Sequence, residues 1–124
     1  MKNLTFVFVF FFFTGMLFAQ DHVIEIDTIR SDFAEPRSID VGAEEQIQFK
    51  TKGAEFAILI MDAYEIFDTD EVNIEILLNS DSPVSAIYTL RERATKVEKY
   101  YIIYCITNNK WIDAPPKIVL NAAR

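Results

Sequence analysis

The sequence predicts an all-β protein, a small Greek-key β-sandwich of seven or eight strands. Two apolar runs, residues 56–61 and 100–107, are rich in β-branched and aromatic side chains and carry no charge. Shorter alternating segments recur at roughly 8–12-residue spacing and are separated by turn residues, which is typical of a sandwich. No stretch of residues 21–124 has the periodicity of an amphipathic helix.

Residues 1–20 are predicted to be a signal peptide, and residues 21–124 a single β-sandwich domain. Lys2 supplies the positive charge, an apolar run follows, and Ala19 is a small residue at the expected cleavage position. The competing interpretation is a retained membrane anchor, which requires about 20 apolar residues, whereas acidic Asp21 ends this run early. We therefore expect a secreted or periplasmic protein that has no membrane contact after cleavage.

The strands of the domain are expected in a regular order. Residues 21–29 alternate loosely and predict a first strand at a sheet edge, and residues 46–50 alternate cleanly with Ile47 and Phe49 inward. Residues 91–99 are charged and fit either an edge strand or an exposed helical turn. The remaining strands are predicted at residues 38–41, 56–61, 72–78, 85–90, 100–107 and 117–120.

The two uncharged runs are expected to be central strands. Both are apolar on each face of the pleat, which predicts that they lie inside a sheet covered, at least in part, on both sides. The second run carries Cys105, the only cysteine of the chain. No intramolecular disulfide can therefore form, and a thiol within such a strand is expected to be buried.

The charge of the chain excludes one class of partner. The sequence has 12 basic and 19 acidic residues, a net charge of −7. Binding to a phosphate backbone requires clustered lysine and arginine, so no interaction with nucleic acid is expected. The acidity fits a solvated surface that keeps an exported protein soluble.

Two segments resemble the cupredoxins. Residues 38–49, Ser-Ile-Asp-Val-Gly-Ala-Glu-Glu-Gln-Ile-Gln-Phe, resemble the opening strand, glycine turn and second strand of that family. Residues 101–105 and the closing strand 117–120 resemble its C-terminal half, in which a tyrosine-rich strand delivers a cysteine. The resemblance implies a cupredoxin-like sandwich with Cys105 at the position of the copper thiolate. An immunoglobulin-like strand order is the alternative.

The copper ligands of that family are missing from the sequence. A type 1 copper site needs two histidines and a cysteine, usually with an axial methionine. The only histidine, His22, lies at the extreme start of the predicted domain, and the residues that follow Cys105 include no histidine or methionine before Trp111. We therefore expect no copper, no other cofactor and no electron transfer through copper.

Other catalytic chemistry finds no support in the sequence. A nucleophilic Cys105 needs a nearby base, and a serine hydrolase elbow of the Gly-x-Ser-x-Gly type is missing. We expect no catalytic residues and no enzyme. The acidic segment 62–71 contains weak calcium candidates, Asp68, Asp70 and Glu71, but lacks the third ligand and the glycine of an EF-hand loop.

Aromatic residues are the remaining candidates for function. Trp111, Tyr64 and Phe67 are predicted to form a binding platform for an envelope or extracellular protein or for a glycan, although aromatics at strand spacing more often belong to a core. The sequence thus predicts an exported, non-catalytic binding or interaction module of unknown ligand. The alternative is an atypical metal or redox protein that uses Cys105 or the 62–71 loop.

Overall fold

The computed structural model describes residues 21–28 and 33–123, and the predicted signal peptide lies outside this part of the chain. The described residues form eleven strands and one short 3-10 helix, Ala63–Glu65. Eight strands have four residues or more, which confirms the predicted number. The strands are β1 His22–Ile26, β2 Ala34–Glu35, β3 Ser38–Val41, β4 Gln46–Thr51, β5 Phe56–Met61, β6 Asn73–Leu78, β7 Tyr88–Thr89, β8 Val97–Tyr100, β9 Ile102–Cys105, β10 Lys110–Trp111 and β11 Lys117–Leu120.

The strands form three hydrogen-bonded ladders, with the orders β2-β1-β4-β7, β10-β9-β5-β6 and β3-β11-β8. The β1–β4 and β3–β11 pairs are parallel, and the other pairs are antiparallel. The predicted edge position of the first strand is wrong, because Ala34 and Glu35 pair with its free side. Residues 21–28 and 33–123 include no helix with the length and hydrophobicity of a membrane span.

All three ladders contribute to one hydrophobic core. Ile47 and Phe49 of β4, which the alternation predicts to point inward, are fully buried, and Ile58 of β5 and Leu78 of β6 are at most 1% exposed. Full burial of such a side chain stabilises the fold by about 1.5–3 kcal/mol relative to leaving it exposed. The all-β sandwich is confirmed.

The run 100–107 is not one strand, as predicted, but parts of two. The chain pairs with β11 up to Tyr100 and with β5 from Ile102 onward. Between them, the Tyr101 N–H donates to the Pro116 carbonyl at 3.1 Å, and the Tyr101 ring meets Phe49 edge-on at 5.6 Å between centroids. The buried Tyr101 ring anchors the chain in the core, and the backbone passes from one ladder to the next at this residue.

The cover of the two central strands is complete on one face of their sheet and only partial on the other. β5 and β9 are indeed the central strands of their sheet and pair with each other. Their inward side chains are at most 1% exposed, whereas Met61 on the opposite face is 51% exposed. The physical reason is that the other two ladders share the core with the inner face of this sheet. We call the opposite side of the β10-β9-β5-β6 sheet the outer face.

Candidate binding surface

The outer face is built from side chains that alternate with the core residues along four paired strands. The strand register aligns them in rows across the sheet. One row runs Trp111–Tyr104–Ala57–Leu77, and the next runs Ile102–Leu59–Glu75. Since neighbouring strands lie about 4.8 Å apart, the first row extends about 14 Å across the sheet. Apart from Glu75, both rows are apolar or aromatic.

A groove of about 550 Å³ lies on this face, and its shape follows from the first row. Ala57 stands between Tyr104 on one neighbouring strand and Leu77 on the other. Its single methyl group leaves a depression between the two larger side chains. We call this depression the outer groove; the outward side chains that line it are those of Ala57, Leu59, Glu75, Leu77, Ile102, Tyr104 and Trp111.

Two aromatic rings form one end of the outer groove. β10 follows a tight turn in which Asn109 has a positive φ of 51°, and it returns antiparallel to β9 so that Trp111 lies opposite Tyr104. Their ring centroids are 4.7 Å apart with an interplanar angle of 46°. The Tyr104 hydroxyl donates to the Asn109 side-chain oxygen. Trp111 is 63% exposed, so this ring pair offers an aromatic surface held in a fixed position.

Glu75 is the one charged side chain among the described residues that line the outer groove. It is exposed on β6, directly opposite Leu59 in the β5–β6 ladder, and it lies two residues from Leu77 on the same face of the strand. A carboxylate beside apolar walls gives the groove a negative potential without a compensating cation in its lining.

The structure places the three predicted binding residues in different surroundings. Trp111 belongs to the outer groove. Tyr64 is exposed, but it follows β5, whose last residue, Met61, lies about 13 Å along the strand from Ala57. Phe67 is 1% exposed and packs against Tyr88 at 5.6 Å between ring centroids, so it is a core residue and offers no surface to a partner.

Tyr104 belongs to the set of aromatic residues that the sequence offers as a binding platform, whereas the aliphatic residues of the groove are unremarkable in the sequence. Ala57 and Ile102 belong to runs that predict central strands. Leu77 was the sole apolar residue on the outward side of an otherwise alternating segment. That irregularity was the one available signal for an apolar outer face.

Cys105 lies on the opposite side of the sheet from the outer groove. It is fully buried, and its neighbours across the ladder are Phe56 and Lys110. This confirms the expected burial of the thiol. No acid or histidine stands at these two cross-strand positions to act as a base.

His22 is engaged elsewhere, at the start of β1. Its Nε2 lies 2.8 Å from the Glu45 Oε1, which also accepts from the Gly42 N–H at 2.8 Å. The hydrogen bond from His22, followed by that from Gly42, lowers the pKa of Glu45 below its usual value of 4.5. This cluster joins the β1 start to the turn before β4 and is a structural contact of the first ladder.

The acidic segment 62–71 is held by its backbone. The Asp68 N–H donates to the Thr89 carbonyl, and the Glu71 N–H donates to the Thr69 hydroxyl. Within residues 21–28 and 33–123, no three histidine, cysteine, aspartate or glutamate side chains are grouped so that they could hold a metal ion, and Asp68, Asp70 and Glu71 are included in that statement. Burial, with the charge of Glu71, raises the pKa of Tyr88.

Comparison with known proteins identifies the fold. No protein-family model matches the sequence, and no curated protein sequence does. Among solved structures, the chain is similar to a mutant of amicyanin in its reduced Cu(I) form at pH 4, with TM-score 0.51, 12% identity and 80% of each chain covered. A second reduced amicyanin mutant gives TM-score 0.51 and 14% identity over 80% of each chain. The fold is cupredoxin-like.

Similarity at this level of identity concerns the fold alone. A plastocyanin from Dryopteris crassirhizoma, in its oxidized form, has 20% identity over 80% of this chain and 99% of its own, at TM-score 0.49. Of the two strand orders that the sequence left open, the amicyanin comparisons support the cupredoxin-like one.

The residues of this cupredoxin-like chain do not fit a type 1 copper centre. Such a centre needs two histidine nitrogens beside the thiolate, and the whole sequence contains one histidine. That histidine, His22, is bonded to Glu45 on the β2-β1-β4-β7 ladder, whereas Cys105 lies on β9 of another ladder. The one histidine and the one cysteine therefore lie on different ladders and do not form that ligand set.

Proposed function

We propose that the protein is an exported, non-catalytic binding module that holds its ligand on the outer face of the β10-β9-β5-β6 sheet. One observation carries the proposal: the face is apolar across four strands, yet Leu77 is 58% and Trp111 63% exposed. Contiguous exposed apolar surface on a soluble domain marks interaction or ligand-binding sites. A concave apolar site of this size, with a single polar group, is typical of small-ligand pockets.

The non-catalytic part of the proposal rests on where the reactive side chains lie. Cys105 is buried on the other face, and His22 is bonded to Glu45. Neither can reach a ligand in the outer groove. The export part rests on the signal-like pattern of residues 1–20. No contact in the described residues favours the alternative of a metal or redox protein.

Two lysine variants test the proposal. Leu77→Lys places a charge in the outer groove, whereas Ile87→Lys places the same charge at another exposed apolar position, 42% exposed, beside β7 of a different ladder. The mature domain and both variants are immobilised and exposed to an envelope extract and to a glycan array. A true ligand is retained by the wild type and by Ile87→Lys and is lost from Leu77→Lys.

The proposal fails if Leu77→Lys retains every component that the wild type retains. Circular dichroism and urea unfolding of both variants establish that the fold is intact. Because both positions are exposed, we expect each lysine to change the free energy of unfolding by about 0.5 kcal/mol or less.

A further inference from the structure

We infer that the outer groove takes an organic cation with an apolar body, such as an amine or quaternary ammonium attached to an aromatic or aliphatic group. The inference rests on the proposed function and names the chemistry of the ligand. It comes from three features of the groove: its shape, its single carboxylate and its aromatic end.

The apolar body is indicated by the walls of the groove. Leu77 and Tyr104 flank the depression over Ala57, and Leu59 and Ile102 continue it into the next row. The volume, about 550 Å³, lies within the range of sites that enclose small organic ligands, about 300–1,000 Å³. Each apolar group that moves from water into this depression contributes favourably in proportion to the area buried.

The positive charge is indicated by Glu75. This carboxylate lies two residues from Leu77 on the same face of β6, about 7 Å along the strand, so it stands at the edge of the depression. The lining contains no lysine, arginine or histidine that could neutralise it. The chain as a whole carries a net charge of −7, which attracts cations and repels anions.

The aromatic end adds to the same preference. The faces of tryptophan and tyrosine rings attract ammonium groups through the ring quadrupole. The Trp111 and Tyr104 rings lie 4.7 Å apart between centroids and are tilted by 46°, and Trp111 leaves most of its surface open to a ligand. A cation can therefore contact either the ring pair or Glu75 while its apolar body covers Ala57.

Two other occupants suit the groove less well. A glycan needs many hydrogen-bond partners. The Tyr104 hydroxyl already donates its hydrogen bond to Asn109, so Glu75 is the main polar side chain of the groove that can bind a sugar hydroxyl. A second copy of the chain, placed face to face, would bring two Glu75 carboxylates into an apolar interface, and burying unpaired charge is costly. It would also join two domains that each carry a large negative charge.

The test uses three probes of one shape: 4-phenylbutylammonium, 4-phenylbutan-1-ol and 4-phenylbutanoate. Trp111 is the only tryptophan of the chain, so its fluorescence reports binding at the groove directly. The mature domain is titrated with each probe at pH 7 and constant ionic strength. We expect the ammonium to bind about two- to five-fold more tightly than the alcohol, as an exposed ion pair allows, and the carboxylate to bind most weakly.

Variants separate the contribution of charge from that of shape. Glu75→Gln should abolish the preference for the ammonium over the alcohol, whereas Glu92→Gln, which removes the same charge from an exposed position outside the groove, should keep it. Ala57→Leu should fill the depression and weaken all three probes. Position 57 is partly exposed, so this variant is expected to fold.

The inference is overturned if the wild type binds the alcohol as tightly as the ammonium, if Glu75→Gln keeps the preference, or if no probe changes the Trp111 signal. Its failure can be told apart from failure of the proposed function by adding Leu77→Lys to the series. Equal binding of all three probes that Leu77→Lys abolishes would refute the charge preference and support the outer face as a ligand site.

Discussion

The two faces of the β5–β9 strand pair are both built of apolar and aromatic side chains but differ in burial. On the inner face, Phe56, Ile58, Ile103 and Cys105 are at most 1% exposed. On the outer face, the alternate residues of the same strands are also apolar, yet they are partly or largely open to solvent. Hydrophobicity of a strand residue therefore does not by itself establish that the domain covers it.

The two faces of this sheet differ in what packs against them. The inner residues pack against side chains of the other two ladders and stabilise the fold. The outer residues retain apolar character without that packing, which is expected where a ligand supplies the cover. The comparison yields three predictions about the isolated domain, beginning with the largest expected effect.

Adjacent leucines of β6 give the most direct contrast in stability. Leu78 is fully buried and Leu77 is 58% exposed. Leu78→Ala should lower the free energy of unfolding by about 2–5 kcal/mol, because it leaves a cavity in the core. Leu77→Ala, the matched control, should lower it by about 0.5 kcal/mol or less. Urea unfolding measures both, and equal losses would show that the outer face is packed.

Thiol reactivity compares the faces in a second way. Cys105 is fully buried, so a thiol reagent can reach it only when the sheet opens. Its labelling in the native protein should be about 100-fold slower, or more, than labelling in urea. In the double variant Leu77→Cys, Cys105→Ala, the new thiol lies on the outer face and should react at nearly the rate of an unfolded chain. Rapid native labelling of Cys105 would contradict the burial of the inner face.

The smallest effect concerns Glu45, which lies outside both faces. The pKa of Glu45 is lowered in the folded chain by His22 and by the Gly42 N–H. The ionised carboxylate therefore stabilises the fold fully above its usual pKa of 4.5, and this stabilisation is lost as the pH falls through the lower pKa of the folded state. Since the Glu45 side chain is 41% exposed, Glu45→Gln should cost less than about 1 kcal/mol at pH 7.

The pH dependence distinguishes this effect from a general loss of charge. The stability difference between Glu45→Gln and the wild type should shrink toward zero as the pH drops well below 4.5. Glu44→Gln, at the exposed neighbouring position, serves as the control and should show no such trend. A difference for Glu45→Gln that persists at low pH would rule out the proposed role of its carboxylate.

Much of the fold could be predicted because alternation reports directly on burial. Ile47 and Phe49 of β4 point inward as predicted, and residues 117–120 form the last strand as expected. The division of residues 100–107 between two ladders could not be predicted from the sequence, because Tyr101 continues the strand pattern without a break. The change of partner depends on long-range contacts with Pro116 and Phe49.

The candidate site was less accessible to sequence reasoning. Trp111 was singled out because it follows a polar turn, but the groove beside it depends on strand register, which places Ala57 between Tyr104 and Leu77. Phe67 lies in an acidic segment, but the residue is only 1% exposed and belongs to the core rather than to a binding surface.

The central claim is that the outer face is open in the isolated domain, and Trp111 fluorescence tests it most directly. Trp111 is the only tryptophan of the chain and is 63% exposed. At protein concentrations where the domain is monomeric, its emission maximum should lie close to that of free tryptophan in water. Acrylamide should quench this emission nearly as efficiently as it quenches the emission of the unfolded chain. Blue-shifted emission that acrylamide cannot quench would mean that the domain covers this face itself, and the account would be contradicted.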